Sequence, residues 1–124
     1  MYINDAILNE FANITHVGTM KAGPGVFVSR TIKGRYTVVL CLKLMNEVIA
    51  DIKFKAQSCL TVIASLNMLC GDLLGKHFSV LATVSNHTYV ERLNITDAEA
   101  AKSVMAYESS HDMHQTILQG LHND

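Results

Sequence analysis

Cysteine is scarce in this chain: three in 124 residues, an odd number, with no Cys-x-x-Cys pair. That excludes a disulfide framework and the zinc-ribbon and zinc-finger patterns, and it fits a reducing cytoplasm or organelle matrix. Charge is scarce too. Charged residues make up 17% and the net charge is −1, which excludes a strongly basic nucleic-acid footprint. No apolar run approaches the roughly 18–20 residues a membrane helix needs, so no membrane partner is expected. The opening Met1-Tyr2-Ile3-Asn4-Asp5 has neither the basic nor the apolar region of a signal peptide. The glycosylation-type tripeptides at Asn13, Asn86 and Asn94 are then expected to be chance matches. There is no phosphate-binding loop, dinucleotide fingerprint, HExxH or Gly-x-Ser-x-Gly, so no motif demands an enzyme. What the chain has in quantity is apolar side chains, 49% of the total. That suffices for one core, and residues 1–124 are expected to form a single domain.

The hydrophobic pattern changes period along the chain. Tyr2 to Glu10 fits a short amphipathic helix, with Ile3, Ile7 and Leu8 at helical spacing. Asn13 to Lys21 is expected to be a loop, and Gly23-Pro24-Gly25 a break. From Val26 the period is two. Tyr36, Val38, Leu40, Leu42 and Leu44 share one strand face; after a turn at Asn46-Glu47, so do Val48, Ala50, Ile52 and Phe54. Beyond Cys59 the period is 3.6, with Val62, Leu66, Leu69 and Leu73 in one stripe; Gly71 weakens that helix and Gly75 stops it. One or two short helices over His77–Arg92 follow. Thr96-Asp97-Ala98-Glu99 matches a capping box opening a last helix, which carries Ala101, Val104, Met105, Ile117 and Leu118. Strands first and helices after predict an α+β fold: a three-stranded antiparallel sheet with helices packed on one face.

Cys59 is the reactive candidate, because a thiol at a helix N-terminus sees the positive end of the helix dipole. Cys41 falls mid-strand and Cys70 mid-helix, positions that suit core packing. His111 and His114, three apart on a helix, suit a solvated face better than a metal site lacking further ligands; His16, His77, His87 and His122 are expected to be exposed. Lys33-Gly34-Arg35 precedes the long strand and suits solvent contact, with a small anion site as the weaker alternative.

Four segments, in order, resemble the scaffold domain of iron–sulfur cluster assembly, the IscU family and the N-terminal domain of NifU. They are Phe11-Ala12-Asn13-Ile14-Thr15-His16-Val17-Gly18, Val48-Ile49-Ala50-Asp51-Ile52-Lys53-Phe54, Gln57-Ser58-Cys59 leading into Val62-Ile63-Ala64-Ser65, and Gly75-Lys76. The resemblance spans about Tyr2 to Ile117 and implies a NifU-like sandwich, also seen in SufE. It implies a [2Fe–2S] cluster or zinc held by three cysteines, an aspartate and a histidine. It also implies partners of the assembly machinery, a cysteine desulfurase first.

The ligand positions have changed. The first Cys-Gly-Asp of the family falls on Lys33-Gly34-Arg35, the second cysteine on Cys59, and the final His-Cys on Ala101 and Lys102. The Leu-Pro-Pro chaperone-docking motif falls near Ile95-Thr96-Asp97 without either proline, so docking of that kind is not expected. Cys70-Gly71-Asp72 repeats the family tripeptide at the wrong place in the fold and is a coincidence of letters. A cluster or zinc ion needs about four soft or borderline ligands, and protonated lysine has no lone pair to give. Cys59 is therefore an incomplete metal ligand, and conventional cluster binding is expected to be lost. Cations at 33, 35 and 102, if they surround Cys59, favour its thiolate and make it a candidate acceptor of persulfide sulfur. The alternatives are a regulatory role, a protein-binding module without chemistry, or a scaffold holding Fe–S or zinc through unconventional ligands such as Cys59 with a histidine. A lysine nucleophile at 33 or 102 lacks an identifiable base, so no enzyme is expected.

Overall fold

The alternation that starts at Val26 forms three strands, β1 (Val26–Lys33), β2 (Tyr36–Met45) and β3 (Val48–Gln57), in an antiparallel sheet of order β1-β2-β3. Five helical segments surround them: α1 (Asp5–Ala12), α2 (Leu60–Leu73), a 3₁₀ turn (Phe78–Thr83), α3 (Asn86–Arg92) and α4 (Asp97–His122). The computed structural model describes residues 4–122, and at positions 97–99, 102, 103 and 122 the backbone alone. The expected three-stranded antiparallel sheet with helices against one face is what the chain forms. Helices α2 and α4 cover the inner face, where Val38, Leu40, Leu42, Ile52, Phe54, Leu66, Leu69 and Met113 are buried in one cluster.

Two tight turns set the sheet register. Lys33 pairs with Tyr36, leaving Gly34-Arg35 as a two-residue loop whose glycine adopts φ +61. Met45 pairs with Val48, and both residues between them, Asn46 and Glu47, sit at positive φ, as a type I′ hairpin requires. The predicted phase holds in β2 and slips in β3. Ile52 and Phe54 face the core as expected, but Ala50 is exposed and Ile49 is buried. The register explains it: Lys43 pairs with Asp51 and Leu44 with Ile49, so Ala50 is an extra residue. Such a bulge shifts the alternation by one position and turns Ile49 inward.

The stretch expected to be plain loop adds to the sheet. The Gly18 N–H donates to the Phe54 carbonyl at 2.9 Å, and the Phe54 N–H donates to the His16 carbonyl at 2.8 Å. Val17 thus forms a short parallel bridge on the β3 edge. Helix α1 starts later than expected, capped by Asn4, whose Oδ1 accepts from the Ile7 N–H at 2.8 Å; Tyr2 and Ile3 lie outside the described residues. Ile7 is buried, whereas Leu8 is half exposed. Helix α2 runs through Gly71 to Leu73, and Gly75 ends it at φ +84 while donating its N–H to the Ile49 carbonyl at 2.8 Å. The proposed capping box pairs Thr96 with the Glu99 side chain, and the latter lies outside the described residues.

Helix α4 crosses β1 closely. A Cβ at Gly120 would lie 2.8 Å from the Phe27 ring. Thr31 Oγ1 donates to Asp112 Oδ2 at 2.6 Å. Gly25, at the start of β1, is under tighter constraint: its φ is +76, and a Cβ there would lie 2.6 Å from the Leu44 carbonyl oxygen. Backbone cannot swing aside as a side-chain tip can. Gly25→Ala is expected to lower stability by about 1–3 kcal/mol, the usual cost of a side chain forced into such a conformation. Urea denaturation followed by circular dichroism measures it, and an unchanged midpoint would refute this constraint.

Candidate functional site

The meander brings distant positions to one end of the sheet. Lys33 ends β1, Tyr36 opens β2, and Gln57, paired with Thr37, closes β3. The β1–β2 hairpin tip and the chain leaving β3 therefore lie side by side. The first turns of α4 cover this end. A pocket of about 280 Å³ forms there, lined by Lys33, Gly34, Tyr36, Ala101 and Met105. Ser58 Oγ donates to Met105 Sδ at 3.9 Å, which ties the β3–α2 junction to the same helix. Cys59 follows directly. It is the N-cap of the 14-residue α2, makes no side-chain capping bond and packs half-buried against the core.

Sequence positions 33 and 101 thus meet at one pocket, 68 residues apart in the chain. Lys33 Nζ lies 3.2 Å from Glu108 Oε1, with side chains 55% and 39% exposed. Its charge is answered by a carboxylate of α4. Arg35 is exposed in the hairpin loop, and the Lys102 side chain lies outside the described residues. Sequence reasoning missed Tyr36, Met105 and Glu108. A signal for the last two existed: 101, 105 and 108 follow the i, i+4, i+7 spacing of one helix face. An exposed ion pair contributes little, so Glu108→Gln is expected to change stability by under about 1 kcal/mol. A thermal melt of the variant checks it, and a larger loss would mean that the pair anchors the hairpin.

The other singled-out residues have structural partners. Cys70 is fully buried, and burial pushes its thiol well up, so it stays protonated. Asp72 accepts from Tyr89 at 3.3 Å and pairs with Arg92, so Cys70-Gly71-Asp72 belongs to the α2–α3 contact, away from the pocket. Cys41 is 2% exposed, but it lies on the outer sheet face between Val28 and Lys53, outside the inner-face core. His111 and His114 are half-buried, which corrects the expected solvated face. His111 Nε2 lies 3.1 Å from the Val84 carbonyl oxygen and its ring 4.3 Å from that of Tyr107. The His114 ring stacks 6.1 Å from that of Phe78. The cause is the 3₁₀ turn, which packs against this stretch of α4. His77 and His87 are exposed as expected and face Glu47 and Glu91, whereas His16 is half-buried; the His122 side chain lies outside the described residues.

The donor set decides what the site can hold. The pocket offers an ammonium group, a phenol, a thioether and a methyl group, with one thiol at the adjoining helix cap. Among the described residues no three His, Cys, Asp or Glu side chains group as a metal site. Zinc and [2Fe–2S] clusters take about four thiolate, imidazole or carboxylate ligands. The described residues do not fit either group.

Comparison with known proteins adds the family. No curated protein matches the chain. Among solved structures, it is similar to a nitrogen-fixing NifU-like protein (N-terminal part) from Brucella abortus, at 18% identity. That alignment covers 94% of each chain with a TM-score of 0.72. It is also similar to a protein from thermophilic Fervidobacterium islandicum AW-1 described as an iron–sulfur cluster assembly scaffold for the SUF system. There the identity is 12%, with 90% of this chain and 95% of that one covered and a TM-score of 0.71. At such identities the likeness is one of fold. The family model described as the NifU-like N terminal domain matches residues 2–117, nearly the whole length. With the sheet order, the helix layer and that match in agreement, the chain belongs to the NifU-like N-terminal domain family.

Proposed function

We propose that this chain serves cytoplasmic iron–sulfur cluster assembly as a scaffold-fold protein that handles sulfur at Cys59 instead of holding a cluster. The observation that carries the reading is the pocket at the sheet end. Two positions that match family ligands, 33 and 101, meet there as a lysine paired to Glu108 and an alanine, beside Tyr36 and Met105. Such a surface suits a partner's apolar side chain better than an iron ion. Cys59 is the N-cap of α2 and follows Ser58, whose hydroxyl contacts Met105 of the pocket lining.

The chemistry is thiol exchange. The Cys59 thiolate attacks the outer sulfur of a persulfide carried by a cysteine desulfurase. A new S–S bond forms at Cys59, the desulfurase S–S bond breaks, and the donor cysteine leaves as thiolate. No external oxidant or reductant is consumed, and the chain acts as carrier, with no substrate turned over. The test is incubation with a cysteine desulfurase and free cysteine, followed by mass analysis of the wild type and of Cys59→Ser. One added sulfur on the wild type alone supports the reading; equal loading of both removes it. A wild type that takes no sulfur yet binds the desulfurase favours the second reading, a binding module, for which the lysine, phenol, thioether and methyl lining of the pocket speaks.

A further inference from the structure

Among the described residues no helix covers the outer face of the sheet, and the charges of that face are one-sided. Each row crosses the three strands in register. Arg30 pairs with Val39 and Val39 with Lys55; one row on, Val28 pairs with Cys41 and Cys41 with Lys53; beyond that, Val26 pairs with Lys43 and Lys43 with Asp51. Four cations thus share the face with one acid. Asp51 accepts its own neighbour's N–H, from Ile52, at 2.9 Å. Neither Arg30 nor Lys55 has an ion-pair or hydrogen-bond partner among the described residues, unlike Lys33 and Arg92. Like charges gathered without counter-charge repel, and the fold gains nothing from them.

These two cations border a concavity. A cavity of about 380 Å³, lined by Thr19, Arg30, Thr37, Val39, Lys55, Ala56 and Gln57, opens on this face. Two strand spacings separate the backbones of Arg30 and Lys55, roughly 10 Å, with Val39 as the apolar floor between them. Arginine supplies a planar fork and lysine a point charge, the pair of donors that phosphate oxygens accept. Thr19, Thr37 and Gln57 add hydroxyl and amide groups at the rim. The edge of β3 contributes as well. The Phe54 N–H and C=O point outward to residues 16 and 18, so those of Ala56, two residues on, face the same edge just beyond the bridge. The volume lies within the range of small-molecule sites and exceeds what a bare phosphate fills.

We propose that the Arg30–Lys55 cavity on the outer sheet face binds a small phosphorylated organic molecule, its phosphate between the two cations above Val39 and its organic part toward Thr37 and Gln57. This site is separate from Cys59 and does not rest on the sulfur-transfer reading. The test uses calorimetric titration at low salt with glucose 6-phosphate, glucose and inorganic phosphate. Saturable binding of glucose 6-phosphate, tighter than inorganic phosphate and absent for glucose, is the expected result. The side chains of Arg30 and Lys55 reach into solvent, so R30A and K55A should fold normally, as circular dichroism checks. Each should weaken binding about tenfold, the effect of losing one charge-assisted hydrogen bond. K43A, on the same face but two rows away, should change it less than twofold by that argument. Equal weakening by K43A would mean diffuse attraction to a cationic face. Equal affinity for inorganic phosphate, or no saturable binding of the sugar phosphate, would overturn the proposal.

Discussion

Phe54→Ala should lower the unfolding free energy by about 3–5 kcal/mol, the range for emptying a buried aromatic site. Phe54 is 1% exposed on the inner face of β3, and it belongs to the cluster shared by the sheet, α2 and α4. Its neighbours come from rigid elements on both sides, so collapse into the space is limited. A domain of this size has about 5–15 kcal/mol in total, so the variant stands near the edge of folding. The backbone of Phe54 also bonds to residues 16 and 18. Those bonds survive the substitution in principle, but an emptied core lets the edge shift and exposes them to water. With a urea slope of roughly 1–3 kcal/mol per molar, the midpoint should fall by more than about 1 M. An effect below about 1 kcal/mol would show that the layer between sheet and helices is not packed as described.

Cys59→Ser should reduce sulfur loading from a desulfurase to background, with no two-thirds remainder. Serine cannot form the S–S bond on which transfer depends. The other two thiols cannot substitute. Cys41 is 2% exposed beneath the outer sheet face, and Cys70 is inaccessible within the core with its thiol held protonated by burial. Cys70→Ala provides the contrast: it removes core volume, so it should melt earlier, yet it should retain full loading. Stability and sulfur transfer then separate in the two variants. Persistent loading of Cys59→Ser that disappears in Cys70→Ala would relocate the chemistry to the helix interior and contradict the burial seen there.

The strands were legible because their periods are strong. Val38, Leu40 and Leu42 alternate without interruption, and all three are buried. The stripe Val62, Leu66, Leu69 and Leu73 was legible for the same reason. The bulge at Ala50 was not, since the alternation of Val48, Ala50, Ile52 and Phe54 looks regular in the sequence. An extra residue shows itself only against its partner strand. The half-burial of His111 and His114 was hidden likewise, because neither residue carries a sign of the 3₁₀ turn that covers it.

For the site, the amino-acid sequence alone says which donor atoms Lys33, Arg35 and Ala101 can offer, and none of the three is a metal ligand: an ammonium cannot coordinate iron wherever the backbone carries it. It could not say what those side chains do instead. Glu108 meets Lys33 only because α4 lies across the end of the sheet, and Arg30 and Lys55 border one cavity only because β2 holds β1 and β3 in register on either side of Val39. Donor chemistry is a property of single residues and survives in a string of letters. Charge pairing and cavities depend on distances between residues far apart in the chain, and those exist only once the core has fixed the layers.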